Sequence, residues 1–226
     1  MDRQKIEHWL LEKNIKLEED FSETLVRYAK EYKKNNIKNL KDVYALLQIC
    51  PESVYRWQKN RSFHRSTIGF KVQLIKRMGE IFLLSEEGKL RLYNQAGLVS
   101  YEYDKLVQKK EFIISFKKVI STYHHKKVDL CNKALVSERM FRHIQRGEHL
   151  SKSPILALLI TMGLEIETIS EVLSSAGFIL SPAIIEDVIV LEVIQKHKIH
   201  KTGEERLVLM NELLENFALP LLMTRQ

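Results

Sequence analysis

The sequence predicts an all-α protein made of two tandem five-helix groups, with a short N-terminal helix before them and a C-terminal helical pair after them. Three observations predict it. Apolar residues recur at helical spacing along most of the chain. Gly and Pro number only 8 and 4 in 226 residues, too few for the tight turns of a strand-rich fold. The same succession of long and short helical patterns also occurs twice.

Ile6, Trp9 and Leu10 set an apolar stripe on a helix over 3–13. Phe21, Leu25, Tyr28 and Tyr32 do so over 21–34, where the polar run Lys33-Lys34-Asn35-Asn36 closes the pattern. A short helix over 39–48 follows from Leu40, Val43, Leu46 and Leu47. Pro51 opens the next, over 51–59, because its missing N–H leaves no bond unmade at a first helical position. Helices over 67–83 and 85–95 complete the group. Ser85-Glu86-Glu87 supplies a capping hydroxyl and early acids for the last.

The second group repeats that order. A helix over 110–124 carries Phe112, Phe116 and Ile120, and a short one over 127–134 follows. Ser137 caps a helix over 138–146 that Gly147 ends. Further helices run from Ser151 to Met162 and from 166 to Ala176-Gly177. The terminal pair spans Pro182 to Lys198 and Glu204 to Asn216. The divisions expected are an N-terminal helix over 1–20, groups over 21–107 and 108–181, and a C-terminal extension over 182–226.

Two landmarks define the repeat. The segment from Ile49 to Asn60 lines up with that from Val136 to Gly147, and Gln95-Ala96-Gly97-Leu98 with Ser175-Ala176-Gly177-Phe178. The first copy is longer between them, in a basic stretch around 60–69. Helical geometry then separates two faces. With Ser137 as zero and about 100° per residue, Phe141, Ile144 and Met140 fall at about 40°, 340° and 300°. Glu138, Arg142, Arg146 and Arg139 fall at about 100°, 140°, 180° and 200°. The first copy splits alike: Val54 and Trp57 face inward, while Glu52, Tyr55, Arg56 and Lys59 face out.

Charge is polarised along the chain. The net charge is +7, from 36 Lys and Arg against 29 Asp and Glu, a balance that attracts polyanions. From Arg56 to Arg77 lie Arg56, Lys59, Arg61, Arg65, Lys71, Lys76 and Arg77 with no acid among them. From Ser153 to Ile194 there is no Lys or Arg, but Glu165, Glu167, Glu171, Glu186, Asp187 and Glu192 occur.

These segments resemble the lambda-repressor-like (Cro-type, XRE) helix-turn-helix family. The match is closer in the second copy: Lys133-Ala134-Leu135-Val136-Ser137, then Met140-Phe141-Arg142, Ile144 and Gly147. Leu135 stands where the family usually has glycine at the turn. In the first copy Val54-Tyr55-Arg56-Trp57 resembles the end of a recognition helix, whereas Gln48-Ile49-Cys50 departs from the usual turn. Leu156 to Leu164 and Ile169 to Gly177 resemble the fourth and fifth helices. The likeness covers about 21–98 and 110–180. It implies double-stranded DNA as partner and transcription control, most simply repression. The implied DNA-binding residues are Glu52, Ser53, Tyr55, Arg56, Lys59, Arg61, Arg65, Ser137, Glu138, Arg139, Arg142 and Arg146. A protein-interaction adaptor, such as an antitoxin or phage regulator built on degenerate repeats, is the alternative.

Other chemistry finds little support. There is no Gly-rich phosphate loop, nucleophile elbow or HExxH motif, so no enzyme, cofactor or metal is expected. His124-His125 reads as a solvated loop, and His197 and His200 as part of a cationic helix end. Cys50 and Cys131 read as buried free thiols of a cytoplasmic protein. The start lacks a signal-type apolar core, and no stretch is long and apolar enough for a membrane span. The segment 183–194 is apolar nearly all round, so either the last helix or a second copy in a homodimer should cover it.

Overall fold

The computed structural model describes residues 2–36, 39–99, 105–124, 126–196 and 202–223. Among them every regular element is helical. The chain divides into two compact units. One comprises Lys16–Tyr101 with Ser181–Ile185, and the other Met1–Ile15, Glu102–Leu180 and Glu186–Gln226. The first helix, α1 (Arg3–Glu12), belongs to the latter.

The former unit holds α2 (Phe21–Asn36), α3 (Leu40–Leu46), α4 (Pro51–Asn60), α5 (Ile68–Ile81) and α6 (Glu86–Gln95). A reciprocal cap starts α2. Asp20 Oδ1 accepts the Glu23 N–H at 2.9 Å, and Glu23 Oε2 accepts the Asp20 N–H at 3.1 Å. Asn39, Thr67 and Ser85 cap α3, α5 and α6 with their side chains. The basic stretch after α4 contains a 3-10 turn, Phe63–Arg65, that drops Phe63 into the core. Phe63 stacks on Phe21 with centroids 3.7 Å apart and meets Trp57 edge-on at 5.1 Å. Three cations of that stretch are consumed internally. Lys71 is 4% exposed and donates to the carbonyls of His64 and Ala96. Arg77 donates to the Leu47 carbonyl, and Arg61 pairs with Asp20 and Glu23.

The other unit adds α7 (Lys105–Ser121), α8 (Lys127–Lys133), α9 (Glu138–Gln145), α10 (Lys152–Thr161), α11 (Ile166–Ser175), most of α12 (Ile185–Lys196) and α13 (Gly203–Asn216). α10 is buried on all sides from Pro154 to Thr161, packed by α8, α11 and α13. The start of α13 presses on the end of α10. A Cβ built on Gly203 would lie 2.3 Å from the carbonyl oxygens of Ile160 and Thr161. Trp9 of α1 meets Phe217, past α13, at 5.7 Å, and the Asp2 N–H donates to the Phe217 carbonyl. Val188, Ile189, Val190, Val193 and Ile194 of α12 are buried within the chain, so their burial calls for no second copy. Lys152 donates to the Ile179 carbonyl and to the buried Asp187, 2.5 Å to each.

Helix ends fall close to the predicted ones, and α7 and α12 differ most. α7 runs from Lys105 to Ser121 rather than over 110–124, and α12 begins at Ile185 because Ser181 to Ile184 closes a hydrogen-bonded turn first. His125, His197, Lys198 and His200 lie outside the described residues.

The two helix series end alike. Left-handed residues follow the second to fifth helices of each: Gln48, Arg61, Leu83 and Gly97 in one, Leu135, Gly147, Gly163 and Gly177 in the other. The turns before α4 and α9 match bond for bond. Ile49 N–H donates to the Tyr44 carbonyl at 3.0 Å, and Val136 N–H to the Cys131 carbonyl at 2.9 Å. Leucine thus occupies at 135 a conformation that favours glycine, with φ 57°.

Two substitutions test these features by chemical denaturation. Gly203→Ala should lower stability by about 1–3 kcal/mol, because backbone has to move; unchanged stability contradicts the close approach. Leu83 is 88% exposed with φ 51°, so Leu83→Gly should raise stability by up to about 1 kcal/mol, and a loss contradicts the strain.

Candidate nucleic-acid interface

Within each unit a short helix, a tight turn and a second helix follow in order: α3 then α4, and α8 then α9. The second helix of each pair is anchored by one apolar face. On α9, Phe141 and Ile144 are buried, and Phe141 leans on Phe116 of α7 at 6.2 Å. The Ser137 hydroxyl accepts the Met140 N–H at 3.2 Å, which fixes where the helix starts. On α4, Val54 and Trp57 are buried, and Trp57 packs on Phe63 and Phe70.

The opposite faces meet solvent. Glu138, Arg139, Arg142 and Arg146 of the α9 segment are exposed. Arg139 and Arg142 form no ion pair among the described residues. Ser137 is exposed, with its hydroxyl committed to the cap. On α4, Glu52, Arg56, Lys59 and Tyr55 are exposed, Tyr55 to 67%. Ser53 is half-buried, with its hydroxyl 2.9 Å from Cys50 Sγ and 3.4 Å from Arg56 Nη2. Arg65 is exposed beyond the 3-10 turn.

Two expectations are corrected here. Arg61 does not project as an outward cation. It ends α4 in the left-handed conformation, one residue later than the alignment of Asn60 with Gly147 implied. Its Nε lies 3.0 Å from Asp20 Oδ2 and its Nη2 3.2 Å from Glu23, which clamps the end of α4 to the start of α2. Cys50 is not buried. It occupies the N-cap of α4, where the side chain faces solvent, whereas Cys131 is buried and its thiol is pushed up by that burial.

Sequence reasoning missed a clasp at the end of α9. His143 Nδ1 lies 2.9 Å from Glu148 Oε2, closing the turn through Gly147. That hydrogen bond holds the Glu148 carboxyl below the usual carboxylate range, with the charges of Arg146 and Lys109 acting in the same direction. Lys109 of α7 reaches over the same turn, since a Cβ on Gly147 would come within 2.9 Å of its Cγ. The only advance signal was the spacing of His143 and Glu148 around a glycine.

Among the described residues no group of three or more His, Cys, Asp or Glu is placed to hold a metal ion, and no helix is long and apolar enough to cross a membrane. No protein-family model, curated protein or solved structure matches the chain.

Arg61→Ala should lower stability by about 1–3 kcal/mol, because it removes the guanidinium beside the buried Asp20 Oδ2. Urea unfolding of the variant measures this, and an unchanged midpoint contradicts the clamp.

Proposed function

We propose that the chain is a sequence-specific double-stranded DNA-binding regulator, most simply a repressor, with two lambda-repressor-like helix-turn-helix modules of five helices each. α4 and α9 are its reading helices. The observation that carries this is a face of α9 bearing exposed Arg139, Arg142 and Arg146 while Phe141 and Ile144 of the same helix are buried. The matched turns at Gln48 and Leu135, and the shared order of helices, support a second module of the same kind.

A reading helix needs this division. Its inward face fixes its pose on the domain, and its outward face meets base edges from the N-terminal end. Arginine binds guanine O6 and N7 with two parallel N–H bonds, or binds phosphate. Exposed guanidinium groups not engaged by nearby acids are available for both. The outward face of α4 carries fewer cations than that of α9, Arg56 and Lys59 against Arg139, Arg142 and Arg146, and Arg61, Lys71 and Arg77 are used inside the module. That internal use, with the exposed Tyr55, also favours a second reading for this module, docking of a protein partner, in which it has no affinity for duplex DNA.

Arg142→Ala should weaken binding to a selected duplex by about 1–3 kcal/mol while leaving the unfolding midpoint in place, since the side chain is exposed. Titration of a labelled duplex with both proteins measures it. Equal affinities remove Arg142 from the interface.

A further inference from the structure

The caps set a common register for the two reading helices. Cys50 is the N-cap of α4 and Ser137 the N-cap of α9. The buried pairs then coincide, Val54 with Phe141 and Trp57 with Ile144. In this register Glu52 stands where Arg139 stands, Tyr55 where Arg142 stands, and Lys59 where Arg146 stands. All six are exposed.

The first of these pairs is opposite in hydrogen-bonding character. A glutamate carboxylate only accepts, whereas a guanidinium only donates. In the major groove cytosine offers the N4 donor and guanine offers the O6 and N7 acceptors. Equivalent positions of the two modules therefore call for different bases. The second pair differs as well: the Tyr55 ring suits a thymine methyl group, and Arg142 suits guanine.

An acid favours any helix start: Glu52, after Pro51, is the acid in the first turn of α4, and Glu138 that of α9, one residue earlier, with Arg139 at the site equivalent to Glu52. Glu52 also forms no ion pair among the described residues. Its exposed carboxylate is an open acceptor.

We infer that the chain selects an asymmetric duplex: a half read by α4 with cytosine opposite Glu52, and a half read by α9 with guanine opposite Arg139. This rests on the DNA-binding reading above. Two identical half-sites, inverted or direct, present the same base to equivalent positions of two like modules, so they satisfy only one of these two demands.

Selection of duplexes from a random pool by the full chain, followed by titration of single-base variants, tests this. The expected consensus has unlike halves. Glu52→Gln should move the preferred base at one position from cytosine to adenine, which pairs with a glutamine amide, with a change of about 5- to 150-fold and no change in the other half. Arg139→Ala should flatten a guanine preference in the other half only. Both residues are exposed, and far-ultraviolet circular dichroism verifies that each variant is folded. A consensus of two identical halves, inverted or direct, or a Glu52→Gln protein with wild-type preferences throughout, overturns the asymmetry while DNA binding stands. Failure to retain any duplex overturns both.

Discussion

A left-handed residue between two short helices sets the geometry on which the rest depends. At Gln48 and at Leu135 the chain reverses its twist for one residue, and the next N–H bonds back into the preceding helix. That bond fixes the exit direction of the chain, so the following helix must lay Val54 and Trp57, or Phe141 and Ile144, into the core. Once those side chains are buried, rotation about the helix axis is no longer free. The residues about half a turn away, Tyr55 or Arg142, then face water. Neither turn uses glycine, so each holds an L-residue where glycine would be less strained. Burial of the apolar face by neighbouring helices offsets that strain.

The same scaffold supports different electrostatics in the two units. In one, cations bind the fold together: Lys71 caps carbonyls of the chain around it, Arg77 bonds the Leu47 carbonyl, and Arg61 clamps α4 to α2. In the other, Lys152 does similar work at the start of α10, and the arginines of the α9 segment are left on the surface. Summed charge does not distinguish these uses. A lysine on a buried carbonyl and an arginine in solvent count equally in a net charge of +7.

Local patterns were legible because they act over a few residues. The caps at Ser85 and Ser137, the Pro51 start and the Phe141 and Ile144 stripe follow from neighbours in sequence, and the structure has each of them. Much of what escaped depends on distant partners. Arg61 reads as a surface cation until Asp20 and Glu23, far back in sequence, are placed beside it. Lys71 reads as part of a basic stretch until the end of α6 comes over it. Cys50 reads as an apolar core residue, although its place at an N-cap turns it to solvent. Gly203 gives no signal in sequence, since only the approach of α10 forbids a side chain there. In the candidate interface, the outward face of α9 was fully readable, whereas the His143–Glu148 clasp needed the turn through Gly147 to close.

The proposed function requires the outward arginines on α9 to bind a polyanion. The salt dependence of duplex affinity tests it most directly, because each phosphate neutralised releases counterions and steepens the fall of log K with log salt by about 0.9. The wild-type chain should show a steep linear fall, and replacement of Arg139, Arg142 and Arg146 together by alanine should flatten it and weaken binding. A duplex affinity indifferent to salt, or a triple variant with the wild-type slope and strength, contradicts it.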